Sequence, residues 1–168
     1  MGKRVRKLEG GDSWVAVSVF GGTVLLLSWG SQNCGIAVIS EKEKKELLAG
    51  SKQTPPIVNA LKSSISGAEL TGVCQLNRDR IIRLTFTKII GAGFSNTRHL
   101  TLEMMERYSN LIFTDENETI LETAKHIHPA DNRFRSVLPG HHYSMPPEFN
   151  GIPLEDWLQH PSSETLRS

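Results

Sequence analysis

The stretch W-V-A-V-S-V-F-G-G-T-V-L-L-L-S-W, Trp14 to Trp29, constrains the fold most. Two β-branched, apolar runs flank Gly21-Gly22, the residue pair that a tight turn with positive φ prefers. The pattern predicts a hairpin of Trp14 to Phe20 against Thr23 to Trp29. Successive side chains of a strand point to opposite faces. Val15, Val17 and Val19 therefore share one face, and Trp14, Ala16, Ser18 and Phe20 the other. A third short strand is read from Cys34 to Ser40. Five more strand-like runs follow downstream: Glu69 to Leu76, Arg80 to Ile89, His99 to Met105, Asn110 to Thr114 and Thr119 to His126. D-E-N-E at 115–118 reads as a tight turn, and G-A-G-F-S-N at 91–96 as a flexible hairpin loop. Pro55-Pro56 opens the one clear helix, since proline is accepted at the first helical position. Ile57, Ala60, Leu61 and Ile65 recur at helical spacing, and Gly67 closes it. The charged run E-K-E-K-K-E at 41–46 reads as a solvated helical turn leading into a linker. The sum is an α+β fold, mainly an antiparallel β-sandwich with one or two helices.

At 168 residues the chain fits one domain with room for a core. Its formal net charge of +1 does not by itself select a polyanionic partner, so any RNA contact has to come from a local basic patch. Cys34 and Cys74 lie in apolar runs without metal spacing and read as buried free thiols of a reducing compartment. The basic start, followed by Trp14 to Trp29, mimics a secretory signal. Glu9 and Asp12 interrupt it and Gly21-Gly22 breaks it, so a cytoplasmic location without membrane association is expected.

Motifs for catalysis are missing from the sequence. No serine sits in a G-x-S-x-G turn, and G-A-G-F-S-N lacks the lysine and helix of a phosphate loop. His126, His128, His141 and His142 are the candidate metal cluster, but no acidic or cysteine residue joins them at ligand spacing. The expectation is no enzyme, no cofactor, no metal and no small-molecule substrate. The stretch L-N-R-D-R-I-I-R-L-T-F, Leu76 to Phe86, is different in kind. Its charged head turns into an apolar tail. Asn77 to Arg80 reads as a loop that presents Asp79 and Arg80, either to a partner or to each other as a surface ion pair. Arg78, Arg80, Arg83, Arg107, Lys125, Arg133 and Arg135 could meet phosphate, for which the planar guanidinium is suited. Tyr108, Phe134 and Tyr143 could stack on unpaired bases. Glu103, Glu106 and Asp131 dilute the patch, and composition alone leaves an RNA role open.

Four segments in order resemble one family. Asn77-Arg78-Asp79-Arg80-Ile81-Ile82-Arg83 resembles the Asp-Arg-Ile-Ile-Arg segment of the NFACT-N domain. Leu102 to Ile112 is similar to its Glu-Leu-Met-Gly-Arg-His-Ser-Asn-Ile-Ile segment, and Lys125-His126-Ile127 to its Lys-His-Val. Arg133-Phe134-Arg135-Ser136-Val137-Leu138-Pro139-Gly140, with Tyr143 and Pro146-Pro147, resembles its Arg-x-Arg-x-Val-Leu-Pro-Gly…Tyr…Pro-Pro segment. The domain opens the fibronectin-binding-protein-A-like proteins, the bacterial ribosome quality control factors related to eukaryotic NEMF.

The resemblance runs from about Val5 to about Pro147. It implies an NFACT-N-like domain over 1–147, then a tail over 148–168 with a short helix near Pro153 to Gln159. It implies a sandwich shaped like the N-terminal domain of formamidopyrimidine-DNA glycosylases, without their N-terminal proline nucleophile. It further implies a non-catalytic domain that contacts tRNA and the large ribosomal subunit and supports C-terminal tailing of stalled nascent chains. Asp79 and Arg80 match the family pair implicated in the tRNA-dependent role. Arg107, Asn110, Arg133 and Arg135 match family motif positions, for which the resemblance implies a surface or structural role; with Arg78 they are the further candidate RNA-binding residues. A cell-surface adhesin that binds fibronectin or fibrinogen is the alternative. The family's opening helix, helix-hairpin-helix, coiled coil and second RNA-binding domain have no counterpart here, so the chain reads as a truncated piece of a longer protein.

Overall fold

The computed structural model describes residues 2–76, 80–132 and 134–146. Among the described residues, two antiparallel sheets and two α-helices make up the fold. The first sheet is a meander of β1 (Val5–Gly11), β2 (Trp14–Val19), β3 (Val24–Ser28) and β4 (Gly35–Ile39). Helices α1 (Glu41–Ala49) and α2 (Pro56–Ile65) follow. The second sheet runs in order through β5 (Glu69–Gln75), β6 (Ile81–Gly91), β7 (Phe94–Glu103), β8 (Asn110–Asp115) and β9 (Ile120–Thr123).

The hairpin forms where Gly21-Gly22 predicts it, with φ of +102° and +87° at the two glycines. All six residues of β2 are buried, because each face meets a different layer. Val15, Val17 and Val19 enter the main core with α2 and the second sheet, while Trp14 and Ala16 pack under Leu47 and Leu48 of α1. Phe20 leaves the strand and is exposed. Helix α2 buries Ile57, Val58, Leu61 and Ile65 and touches strands of both sheets, β1 in the first and β6 and β9 in the second. One helix thus supplies the apolar filling between two sheets that share a single core.

Several elements differ from expectation. The basic N-terminal stretch is a strand. A bulge between Val5 and Lys7 shifts its register, so Val5 and Leu8, three residues apart, are both buried and period-2 reading fails. The run 41–49 is a full helix, started by a capping box in which Ser40 and Glu43 bond each other's backbone N–H. It is not simply solvated. Lys44 is buried and its Nζ lies 2.8 Å from both Glu9 and Glu41. Burial works against the Lys44 charge, but the two carboxylates outweigh it and hold its pKa above the ordinary value. The loop read over 91–96 is reduced to a two-residue turn at Ala92-Gly93. Strand β9 stops at Thr123, which leaves His126 and His128 outside it. Both cysteines are free, but Cys74 is exposed and Cys34 half-buried. No described helix is long and apolar enough to cross a membrane.

Gly10 shows how closely α2 lies on the first sheet. A Cβ there would sit 2.5 Å from Cγ2 of Val58 and 2.8 Å from the carbonyl oxygen of Trp14. Gly10→Ala is expected to cost about 1–3 kcal/mol through overpacking, read as a lower urea midpoint with unchanged m-value. An unchanged midpoint would mean that the helix does not rest on this strand.

Candidate nucleic-acid interface

Antiparallel order brings the start of β6, the end of β7, the start of β8 and the end of β9 to one end of the second sheet. Three of the sequence segments meet there directly. The Arg80 carbonyl accepts from the Met104 amide at 2.8 Å. A 3-10 turn, Glu106–Tyr108, then carries Arg107 and Tyr108 outward. Lys125 follows β9, and its Nζ donates to the Arg107 carbonyl at 3.0 Å. Arg80 and Arg107 are exposed, and Tyr108 and Phe134 are among the most exposed large apolar side chains. The Arg107 guanidinium donates to the Tyr108 hydroxyl at 2.7 Å and lies over that ring. Burial lowers the Lys125 pKa.

The fourth segment is tied on by a buried clasp. Glu103 ends β7 and is 2% exposed. It accepts from Nη2 of Arg135 at 2.7 and 2.9 Å and from the Tyr143 hydroxyl at 2.7 Å. Burial, and then the Glu103 charge, push the Tyr143 pKa far above its ordinary value. Arg83 lies beside this group on the face it shares with Ile81. It donates to both carboxylate oxygens of Glu118 and, through Nε, to Thr101 at 3.1 Å. The Arg83 charge on this face is therefore paired. Ile112, Ile120, Val137 and Tyr143 form the apolar part of the same face, closed by the Ile127–Val137 bridge.

Two of the candidate residues, Asn110 and Arg135, take a structural place through these contacts. Asn110 is 1% exposed. Its amide donates to the Lys125 carbonyl and accepts from the Leu111 and Lys125 amides, so it fastens β8 to the end of β9 and has no surface to offer. The Arg135 side chain is 6% exposed and paired with Glu103, so it is scaffold. Tyr143, offered for stacking, is buried in the same clasp. Arg78, Asp79 and Arg133 lie outside the described residues, as do Pro147 and the tail over 148–168 with the short helix expected there. Among the described residues, no group of three or more His, Cys, Asp or Glu side chains is placed to hold a metal ion. His126 instead meets Glu122 at 2.8 Å, and His141 meets Ser136 at 3.0 Å.

The model of the NFACT N-terminal and middle domains matches residues 20–164. The chain belongs to this family. It is the ribosome quality control family that the four segments resemble. The Rqc2 homolog RqcH of Bacillus subtilis (strain 168) is 35% identical over 121 residues, which are 68% of this chain and 21% of the relative. The Rqc2 homolog RqcH of Streptococcus suis (strain 05ZYH33) is 32% identical over 93 residues, 55% of this chain and 17% of the relative. The chain thus spans about a fifth of the length of the curated relatives it matches. Among solved structures, the N-terminal part of the fibronectin/fibrinogen-binding protein of Streptococcus suis superposes with a TM-score of 0.75 at 24% identity, covering 98% of this chain and 60% of that one. The fibrinogen-binding protein of Staphylococcus aureus gives 0.72 at 24% identity, covering 93% and 54%. At these identities the likeness shows the fold alone.

The clasp and its neighbour His99 make separate predictions. Arg135→Ala leaves the Glu103 carboxylate buried without its cation and should cost about 3–5 kcal/mol. Tyr143→Phe removes one bond to a charged acceptor and should cost about 1.5–3 kcal/mol. Both are read by chemical denaturation, and equal, small losses would contradict the clasp. The His99 pKa is lowered, first by burial and then by Arg83. The neutral ring is therefore preferred in the folded state. Its contribution is full above the ordinary value of 6.5 and is lost as pH falls through the folded pKa. His99→Gln should flatten the fall in Tm between about pH 7 and pH 5; parallel Tm curves would exclude this role.

Proposed function

We propose that this domain binds RNA, contacting tRNA and the large ribosomal subunit within a ribosome quality control factor, and that it performs no catalysis of its own. The observation that carries the reading is the gathering of Arg80, Arg107, Lys125 and Tyr108 around one end of the second sheet, with exposed Phe134 next in the chain to Arg135, which reaches Glu103 at that end. Exposed guanidinium groups beside exposed aromatic rings suit single-stranded or looped RNA, where phosphate and unstacked base are offered together. Asp79, Arg78 and Arg133 enter this reading by their sequence positions in the family motifs alone. Asp79 either meets RNA or orients Arg80. Arg135 and Asn110 hold the surface in place. The likeness in shape to formamidopyrimidine-DNA glycosylases is carried with this reading as shape without their chemistry. Support for C-terminal tailing and a cytoplasmic location belong to the same proposal, as does the division into a domain over 1–147 and a tail.

A second reading, fibronectin or fibrinogen binding, is favoured by the descriptions of the solved relatives, which name those partners. The two readings part in one experiment. Fluorescence anisotropy with labelled tRNA across a salt series should show binding that weakens steeply with salt, as counterion release requires. Arg80→Ala and Arg107→Ala should each weaken it and lower the slope by about one. Salt-independent binding, or variants equal to the parent, would overturn the RNA reading; saturable capture on immobilised fibronectin without tRNA binding would establish the second.

A further inference from the structure

Lys125 borders a second feature that the RNA reading does not use. Next to it, between the two sheets, lies a shallow cleft of about 730 Å³ that is wide open to solvent. Trp29, Ser31, Gln32 and Asn33 of the loop joining β3 to β4 line one side, with Asp12 of the turn between β1 and β2; Lys125 closes the other. The loop is built by its own contacts. The Trp29 amide donates to the Ser13 carbonyl at 2.9 Å, and the Gly30 amide to the Ser28 hydroxyl. The Asn33 side chain lies over Gly30 so closely that a Cβ there would come 2.3 Å from Oδ1. Trp29 is buried, while Ser31, Gln32 and Asn33 are exposed.

We infer that this cleft receives one unpaired nucleotide of the RNA, base and ribose inside and phosphate outside against Lys125 and Arg107; the inference rests on the RNA reading. The chemistry of the walls selects this occupant. Each amide of Gln32 and Asn33 offers donors and an acceptor, the set that reads a base edge. Asp12 disfavours a phosphate but accepts from an exocyclic amine or a ribose 2′-hydroxyl. Lys125 is the cation of the lining, and it touches the Arg107 carbonyl. The cleft is thereby continuous with the charged surface, and a strand crossing Arg107 reaches it without a break.

The test compares two labelled RNAs in anisotropy with the full chain: a hairpin with an unpaired loop, and a blunt duplex of equal length. The Gln32→Ala/Asn33→Ala variant is expected to bind the hairpin about tenfold more weakly than the parent. It should bind the duplex unchanged and keep the parent's salt slope, since no charge is lost. Gln32→Ala alone, at an exposed position, should move in the same direction and guards against misfolding of the double variant. Equal binding of parent and variants, or equal loss on both RNAs, overturns the cleft assignment. If Arg107→Ala still weakens binding in that case, the RNA reading survives. A parent that binds neither RNA overturns both.

Discussion

The charged end of the second sheet rests on the pairing of Glu103 with Arg135: a carboxylate buried at the end of a strand must be compensated. Burying an unpaired ion costs several kcal/mol even after relaxation. Here compensation comes from Arg135 and Tyr143, thirty-two and forty residues downstream. The segment after β9 has little regular structure of its own, so these bonds, with the Ile127–Val137 bridge, decide where it lies. Because the residue after Glu103 also bonds the Arg80 carbonyl, one strand end locates both the start of β6 and the late segment. Scaffold and exposed surface are neighbours in the chain, and they do different work.

That division explains why the motif arginines are not equivalent. Arg83 and Arg135 are paired with Glu118 and Glu103 and sit inward. Arg80 and Arg107 are exposed at the same end of the sheet. A run of arginines in sequence resembles a binding patch, but a guanidinium already sharing a buried carboxylate has less to offer a phosphate. The net charge of +1 is compatible with a local cationic surface, since a net charge does not fix where the individual charges lie.

Much of the fold was legible in the sequence. The Gly21-Gly22 hairpin, helix α2 and the five strands of the second sheet follow from periodicity and turn residues. Strand β1 was not, because its bulge breaks the alternation on which strand reading depends. Helix α1 was underestimated because its charges suggested solvent, although the Ser40-x-x-Glu43 capping box was present as a signal. At the candidate interface, the segments were readable but their depth was not. Burial of Asn110, Arg135 and Tyr143 depends on partners distant in sequence, and local pattern carries no trace of them. The cleft beside Lys125 was invisible for the same reason: Gln32 and Asn33 read as loop residues until the fold sets them opposite β9.

The central claim is that exposed Arg80 and Arg107 face RNA while Arg135 holds the scaffold. Arginine-specific modification with phenylglyoxal, mapped by mass spectrometry with and without tRNA, tests it directly. The account predicts that Arg80 and Arg107 react in the free protein and are protected by tRNA, while Arg135 stays unreactive in both. Modification of Arg135 as fast as Arg107, or reactivity of Arg80 and Arg107 that tRNA leaves unchanged, would contradict it.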